Sequence, residues 1–351
     1  MKRKSIRQNI LGINMLLPWM MVLMFPVPLR TEISKPFYAS PSQRQNITFI
    51  LGEDQGLKNP FYSKAEQYYR MDEKEKTEFV ITSCRSLAEV QEYLLRHVPR
   101  DQPWGLINLV SHGNPYQGLR AKVTPNGKRA SPESIFEGLA AGELKKMPAR
   151  FVDNKTRISL HACGLGYNRE LTEAVQAAFS GPVDTPVVKS SKYFEYYVGD
   201  AHAESNIRKF MADYWLISYK MGYRPSDRII ARMLRNKYPG QKIKWREALL
   251  KERANKAGEV FHYTFDVPVK WVFPYSSRDS VPDLRSQREC LEWVNRNSRI
   301  LQDLKTLDIP SEKFNWWMRR IYLRNDDGSS TPALWVKGYS TILCVLKLLP
   351  A

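Results

Sequence analysis

Two short stretches of the chain bring together residue types that do nucleophilic chemistry. The first is Val110-Ser111-His112-Gly113 and the second is His161-Ala162-Cys163-Gly164, with Cys163 standing 51 positions after His112. A cysteine attacks as its thiolate, and a free thiol titrates near about 8.5, so a neighbouring base must take its proton at neutral pH. An imidazole, with a pKa near about 6.5, can accept that proton and hand it to a leaving group. A glycine beside each residue lets a substrate backbone approach closely. Backbone N–H groups in the same place can stabilise the oxyanion formed on attack. The pair is therefore a candidate dyad for acyl transfer.

The elements that must position the pair are legible around it. Apolar runs at 46–51, 78–82, 105–110 and 157–160 predict strands, followed by a fifth at 185–189 and a candidate sixth at 193–198. Helices are expected between them. One spans about 59–69. A second runs over 87–97, with Ser86 and Glu89 at capping-box spacing, and a third starts at Ser131-Pro132-Glu133 with proline in the first position. A fourth covers 169–179 and is stopped by Gly181 and Pro182. Strands alternating with helices predict a parallel sheet covered by helices on both faces. Functional groups in such sheets gather at the carboxyl ends of the strands, and His112 and Cys163 each follow an apolar strand.

The run Leu109 to Gly113, followed by Leu160 to Gly166, resembles the caspase-like cysteine peptidase superfamily, which includes caspases, metacaspases, legumains, gingipains and the CHAT-type domains of bacteria. The resemblance covers about residues 45–200. It implies an α/β fold, a three-layer sandwich with a mainly parallel sheet. It also implies a cysteine endopeptidase acting on protein or peptide substrates, with no metal and no cofactor. Cys163 would be the nucleophile and His112 the general base and then the leaving-group acid. The N–H groups of Gly113 and Cys163 would form the oxyanion hole. His161 stands where caspases carry a specificity glutamine and metacaspases an acid, so aspartate specificity is not implied. A catalytically silent binding or scaffold protein and a transpeptidase using the same site are the alternatives.

Three further residues are candidates for the specificity pocket. Glu53 and Asp54 follow the first strand and would suit a Lys or Arg side chain, or else form a solvated turn. His161 lies two residues before Cys163 and so shares its face in an extended strand; it either lines the site or is packed. The other cysteines, Cys84, Cys290 and Cys344, form no C-x-x-C pair, and His97, His202 and His262 show no metal-ligand spacing.

The rest of the chain sets context. Composition is globular, 43% hydrophobic and 12% aromatic, which excludes disordered and collagen-like classes. Residues 1–39 read as a leader: basic residues from Lys2 to Arg7, an apolar run from Ile10 to Leu29, then a short polar stretch. This pattern predicts a secreted or periplasmic protein if the leader is cleaved, or a membrane-anchored form if it is kept. The net charge of +18 is uneven, with +6 over 1–45, +1 over 46–200 and +11 over 201–351. Residues 201–351 are expected to form a basic α+β extension, with helices at 204–221, 226–238, 245–257 and 284–307, a strand at 261–274, and a hairpin turning at Asp326-Asp327-Gly328. Its charge suits an anionic surface or polymer, or simply a solvated basic face. Trp316, Trp317 and Tyr322 beside Arg319 and Arg320 are candidates for stacking on such a partner or for packing. No clear nucleic-acid motif, P-loop or dinucleotide fingerprint is present.

Overall fold

Apolar residues at alternating positions build the first sheet, seen in a computed structural model that describes residues 44–55, 60–71, 77–97, 103–200 and 203–350. The leader expected at 1–39 lies outside the described residues. The first half runs β1 (Asn46–Ile50), α1 (Phe61–Met71), β2 (Phe79–Ile81), α2 (Leu87–Arg96) and β3 (Leu106–Val110). It continues through a small hairpin of β4 (Gly113–Asn114) and β5 (Gly118–Leu119), then α3 (Pro132–Ala140), β6 (Arg157–His161), α4 (Arg169–Phe179) and β7 (Val187–Ser190). The five longer-range strands pair in the order β2-β1-β3-β6-β7, all parallel.

Strand alternation sends Ile47, Phe49, Ile107, Leu109, Ile158 and Leu160 to one face, where they pack with Leu87, Val90 and Leu94 of α2, Ile135 of α3 and Leu171 of α4. The other face carries Ile50 and Val110 against Phe61, Tyr62 and Ala65 of α1. The helix starts are capped as their sequences require. Ser86 accepts the Glu89 N–H and donates its hydroxyl to the Glu89 carboxylate at 2.7 Å. Ser131 and Ser134 cap α3 reciprocally with Pro132 at its first position.

The second half differs from expectation. It contains β8 (Phe194–Asp200), β9 (Ala203–Lys220), α5 (Asp227–Lys237), α6 (Trp245–Leu249), β10 (Val260–Pro274), α7 (Gln287–Arg296), α8 (Ser298–Thr306), β11 (Asn315–Arg324) and β12 (Ser330–Leu348). Residues 204–221 are not a helix but most of β9. Burial of Phe210 and Ala212, then Trp215, Ile217 and Tyr219, follows period two with one slip. Aromatic and β-branched residues fit a pleated surface paired on both sides, by β8 and β12. The helix expected at 245–257 stops at Leu249, because His262 occupies carbonyls that a longer helix would use. Its ring Nδ1 lies 3.0 Å from Ala248 O and 3.1 Å from Lys251 O. The single helix expected at 284–307 is two, divided at Asn297, whose side chain caps α8 by accepting the Ile300 N–H at 3.1 Å.

β8, read as a sixth strand of the first sheet, belongs instead to an antiparallel sheet ordered β10-β12-β9-β8, with β11 paired to β12. The β8–β9 pair therefore crosses residue 200, and Ala39–Ala351 groups as one compact unit. The architecture is mixed α/β, with a five-stranded parallel sheet and eight α-helices among the described residues. At the base of the first sheet, Arg44 and Asp153 form a bidentate pair at 2.7 and 2.9 Å, with side-chain exposures of 0% and 2%.

Candidate active site

The register of the first sheet sets the site. β3 pairs with β6 so that Val110 lies opposite His161, and the Ser111 N–H donates to His161 O at 3.1 Å. The ladder ends there, and His112 and Cys163 each stand two residues past it, beyond the carboxyl ends of the neighbouring strands, Cys163 in the turn that follows β6. Gly113 follows, tucked against the end of β6. A Cβ there would lie 3.0 Å from the Ala162 Cβ and 3.1 Å from Gly118 O. Gly113 faces Leu119 in the β4–β5 pair, and the Arg120 N–H donates to His112 O beside it at 2.6 Å. That pattern makes Gly113 a non-hydrogen-bonded position of the ladder, so its own N–H points away from β5.

His112 is held from α1. Its N–H donates to the Tyr62 hydroxyl at 3.1 Å; its ring stacks on Phe61 at 4.3 Å and meets Tyr62 edge-on at 4.8 Å. Tyr62 reaches this position over Gly52, where any Cβ would overlap its ring. Burial pushes the His112 pKa down to about 4, and Arg120 and Arg129 add to the fall while Asp54 opposes it. The imidazole is thus neutral at pH 7. Arg129 spends its guanidinium on Leu119 O, Gly118 O and the Gln117 side chain. Arg120 is exposed. The variant Arg120→Gln is expected to raise the His112 pKa by removing the larger of the two cationic repulsions, as read from the titration of its ring protons by NMR. An unchanged titration would mean that burial alone sets it.

Cys163 is half-buried, with its thiol 3.9 Å from Glu195 O. Burial pushes the thiol up to about 12, and the nearby Glu195 carboxylate adds to the rise. Gly164 turns the chain sharply after it at φ +66°, and a Cβ there would strike the Phe194 ring. All four cysteines are free thiols.

Both groups open onto one cleft of about 400 Å³. Its near side is Phe61, His112, Gly113 and Cys163. Its far side comes from the second sheet, with Phe194 on β8 and Phe261, Tyr263 and Phe265 on β10. These aromatics were missed in the sequence, although their alternation at 261, 263 and 265 was visible. What could not be read was that β10 closes the cleft over Cys163.

The candidate pocket residues stand elsewhere, and none of the three lines the cleft. Asp54 holds the start of α1, accepting the N–H groups of Tyr62 and Ser63 at 2.8 and 2.9 Å. Glu53 pairs with Arg85 at 2.5 Å on the surface. His161 points behind the site. Its Nε2 donates to Asn108 Oδ1 at 3.0 Å, and its Nδ1 lies 3.1 Å from a Glu195 carboxylate oxygen and 3.2 Å from Lys209 Nζ. Burial alone would lift the Glu195 carboxyl, but His161 and Lys209 hold it below its usual value. This charged cluster anchors the Glu195 backbone that receives the Cys163 thiol.

Trp316 is buried and donates its indole N–H to Ser311 O at 2.9 Å, whereas Trp317 and Tyr322 are 48% and 58% exposed. Arg319 and Arg320 lie between them on the outside of β11. Among the described residues no group of three or more His, Cys, Asp and Glu is placed to hold a metal ion, and no helix is long and apolar enough to cross a membrane.

Comparison of the chain with family models, curated proteins and solved structures found no match.

Proposed function

We propose that the protein is a caspase-like cysteine peptidase that hydrolyses peptide bonds with Cys163 as nucleophile and His112 as general base. The observation that carries this reading is that His112 and Cys163 follow the carboxyl ends of neighbouring parallel strands, β3 and β6, and both line one cleft. The pKa values fit a dyad that rests neutral. As the sulfur attacks the carbonyl carbon, the thiol proton passes to His112, and the N–H groups of Gly113 and Cys163 receive the oxyanion. The imidazolium so formed is strongly acidic in its buried place. It protonates the leaving amine as the C–N bond breaks, leaving a thioester on Cys163. A water molecule, deprotonated by His112, then hydrolyses the thioester and restores the thiol.

The Cys163→Ala variant is expected to lose turnover of a general protein substrate by at least about 10³-fold, with a near-unchanged unfolding midpoint. Cleavage at the wild-type rate in that variant would overturn the reading. A second reading, a silent binding protein of the same fold, draws on the same burial: a thiol near 12 holds almost no thiolate at pH 7, and an imidazole near 4 is a weak base for taking its proton. Wild-type protein that binds peptides without cutting them would favour it.

The leader fits action outside the cytoplasm, secreted, periplasmic or tethered. The exposed Arg319, Arg320 and Trp317 of β11, within a half of net charge +11, fit an anionic surface or polymer as a further partner.

A further inference from the structure

The cleft beside Cys163 is apolar where a substrate side chain would enter. Alternation along β10 puts Phe261, Tyr263 and Phe265 on one face of the strand. Tyr263 and Phe265 stack at 5.6 Å, and Phe194 of β8 closes on Tyr263 at 5.9 Å. Leu346 of β12 completes this wall. A volume of about 400 Å³ lies within the usual range for small-ligand sites, which are mostly apolar with a few convergent polar groups.

The charges around the cleft do not offer a partner for a buried charged side chain. Glu195 is engaged by His161 and Lys209, and Arg129 by the β4–β5 hairpin. Asp266 accepts the Thr341 hydroxyl at 2.6 Å and, like Glu252 and Arg120, lines the cleft with its charge exposed to solvent, where pairing is worth little. An aspartate, lysine or arginine seated among Phe194, Tyr263 and Phe265 would lose its hydration without a counter-charge, which is costly. An aromatic or large aliphatic side chain would lose nothing and would bury apolar area against three rings.

We propose that the cleft selects substrates with a large apolar side chain at the residue whose carbonyl Cys163 attacks, with the second sheet supplying the specificity wall. The position of cleavage rests on the peptidase reading; the binding of the apolar side chain does not. The region beyond residue 200 is then part of the site and not an appendage to it.

The test has two arms, both on the full chain. In the first, the Cys163→Ala protein, whose pocket wall is native, is titrated calorimetrically with N-acetyl tripeptide amides ending in Phe, Leu, Asp or Arg. The Phe and Leu peptides are expected to bind at least tenfold more tightly than the other two. In the second, wild-type protein is given a mixed peptide pool, and cleavage sites are read by mass spectrometry. Cleavage after Phe, Tyr, Leu or Met supports the proposal, and Phe265→Asp is expected to shift it towards Arg and Lys. Cleavage after Asp, Arg or Lys in wild type overturns the pocket while leaving the peptidase reading standing. Tight binding of the Phe peptide with no cleavage at all overturns the peptidase reading and leaves the pocket. Equal binding of all four peptides overturns the pocket whether or not cleavage occurs.

Discussion

Replacing His112 by alanine is expected to lower kcat/KM for a cleaved peptide by about 10²–10⁴-fold, the usual contribution of a positioned base. The size follows from the neutral resting dyad. A thiol pushed up to about 12 by burial holds almost no thiolate at pH 7, so in the proposed mechanism attack depends on His112 taking the proton as the bond forms. The pH profile is the sharper readout. In that mechanism the active form carries a neutral imidazole, so kcat/KM is expected to rise as pH climbs through about 4 and to hold level through neutrality. An acid limb near about 6.5, the value of an unburied imidazole, would show that Phe61 and α1 do not desolvate His112 in the working enzyme. The same burial weakens the fold in acid. The unfolded chain takes a proton on His112 below about 6.5, and the folded chain only near 4. Stability contributed by the neutral ring is therefore full above the unfolded value and is lost as pH falls through the folded one. Because the ring also stacks on Phe61, the unfolding midpoint of His112→Ala must be measured beside its kinetics.

Asp153→Ala is expected to destabilise the protein by about 3–5 kcal/mol, seen as a lower urea midpoint at unchanged slope. Arg44 would be left buried with its charge unpaired. The loss extends beyond the pair, because the same carboxylate accepts the N–H groups of Lys155 and Thr156 at 2.9 and 3.0 Å. These bonds hold the turn that leads into β6, whose last residue, His161, lies two positions before Cys163. The paired change to Arg44→Met with Asp153→Leu should cost less than the single variant, since it leaves no lone charge; a greater cost would mean that the turn hydrogen bonds dominate. Burial would raise the Asp153 carboxyl, but the Arg44 hydrogen bonds and the turn amides hold it below its usual value. Its contribution is therefore complete above about 4, the unfolded value, and is lost as pH falls through the depressed folded value. Acid thus weakens both this base of the sheet and the His112 corner.

Much of the first half was legible because its determinants are local. Ser86 with Glu89, Ser131 with Pro132, and the apolar runs into Val110 and Leu160 each fix an element within a few residues. The second half was less so. The segment 204–221 has enough apolar residues to fit a helical reading, and only the pairing of β9 with β8 and β12 makes it a strand. The break at Asn297 depends on one side-chain cap, and the early end of α6 depends on His262, 13 residues beyond Leu249.

The candidate dyad shows the same division. Sequence alone determined the residue types, their order, and that each follows an apolar strand, because strand-forming runs and glycines are local signals. Tertiary structure decided that β3 and β6 are neighbours, which brings His112 and Cys163 to one cleft. It also sent His161 back to Glu195 and spent Asp54 on the start of α1, because a buried or half-buried polar group goes to whatever partner the packing supplies. The aromatic wall of the cleft could come only from the fold, since Tyr263 and Cys163 lie 100 residues apart and meet through the packing of two sheets.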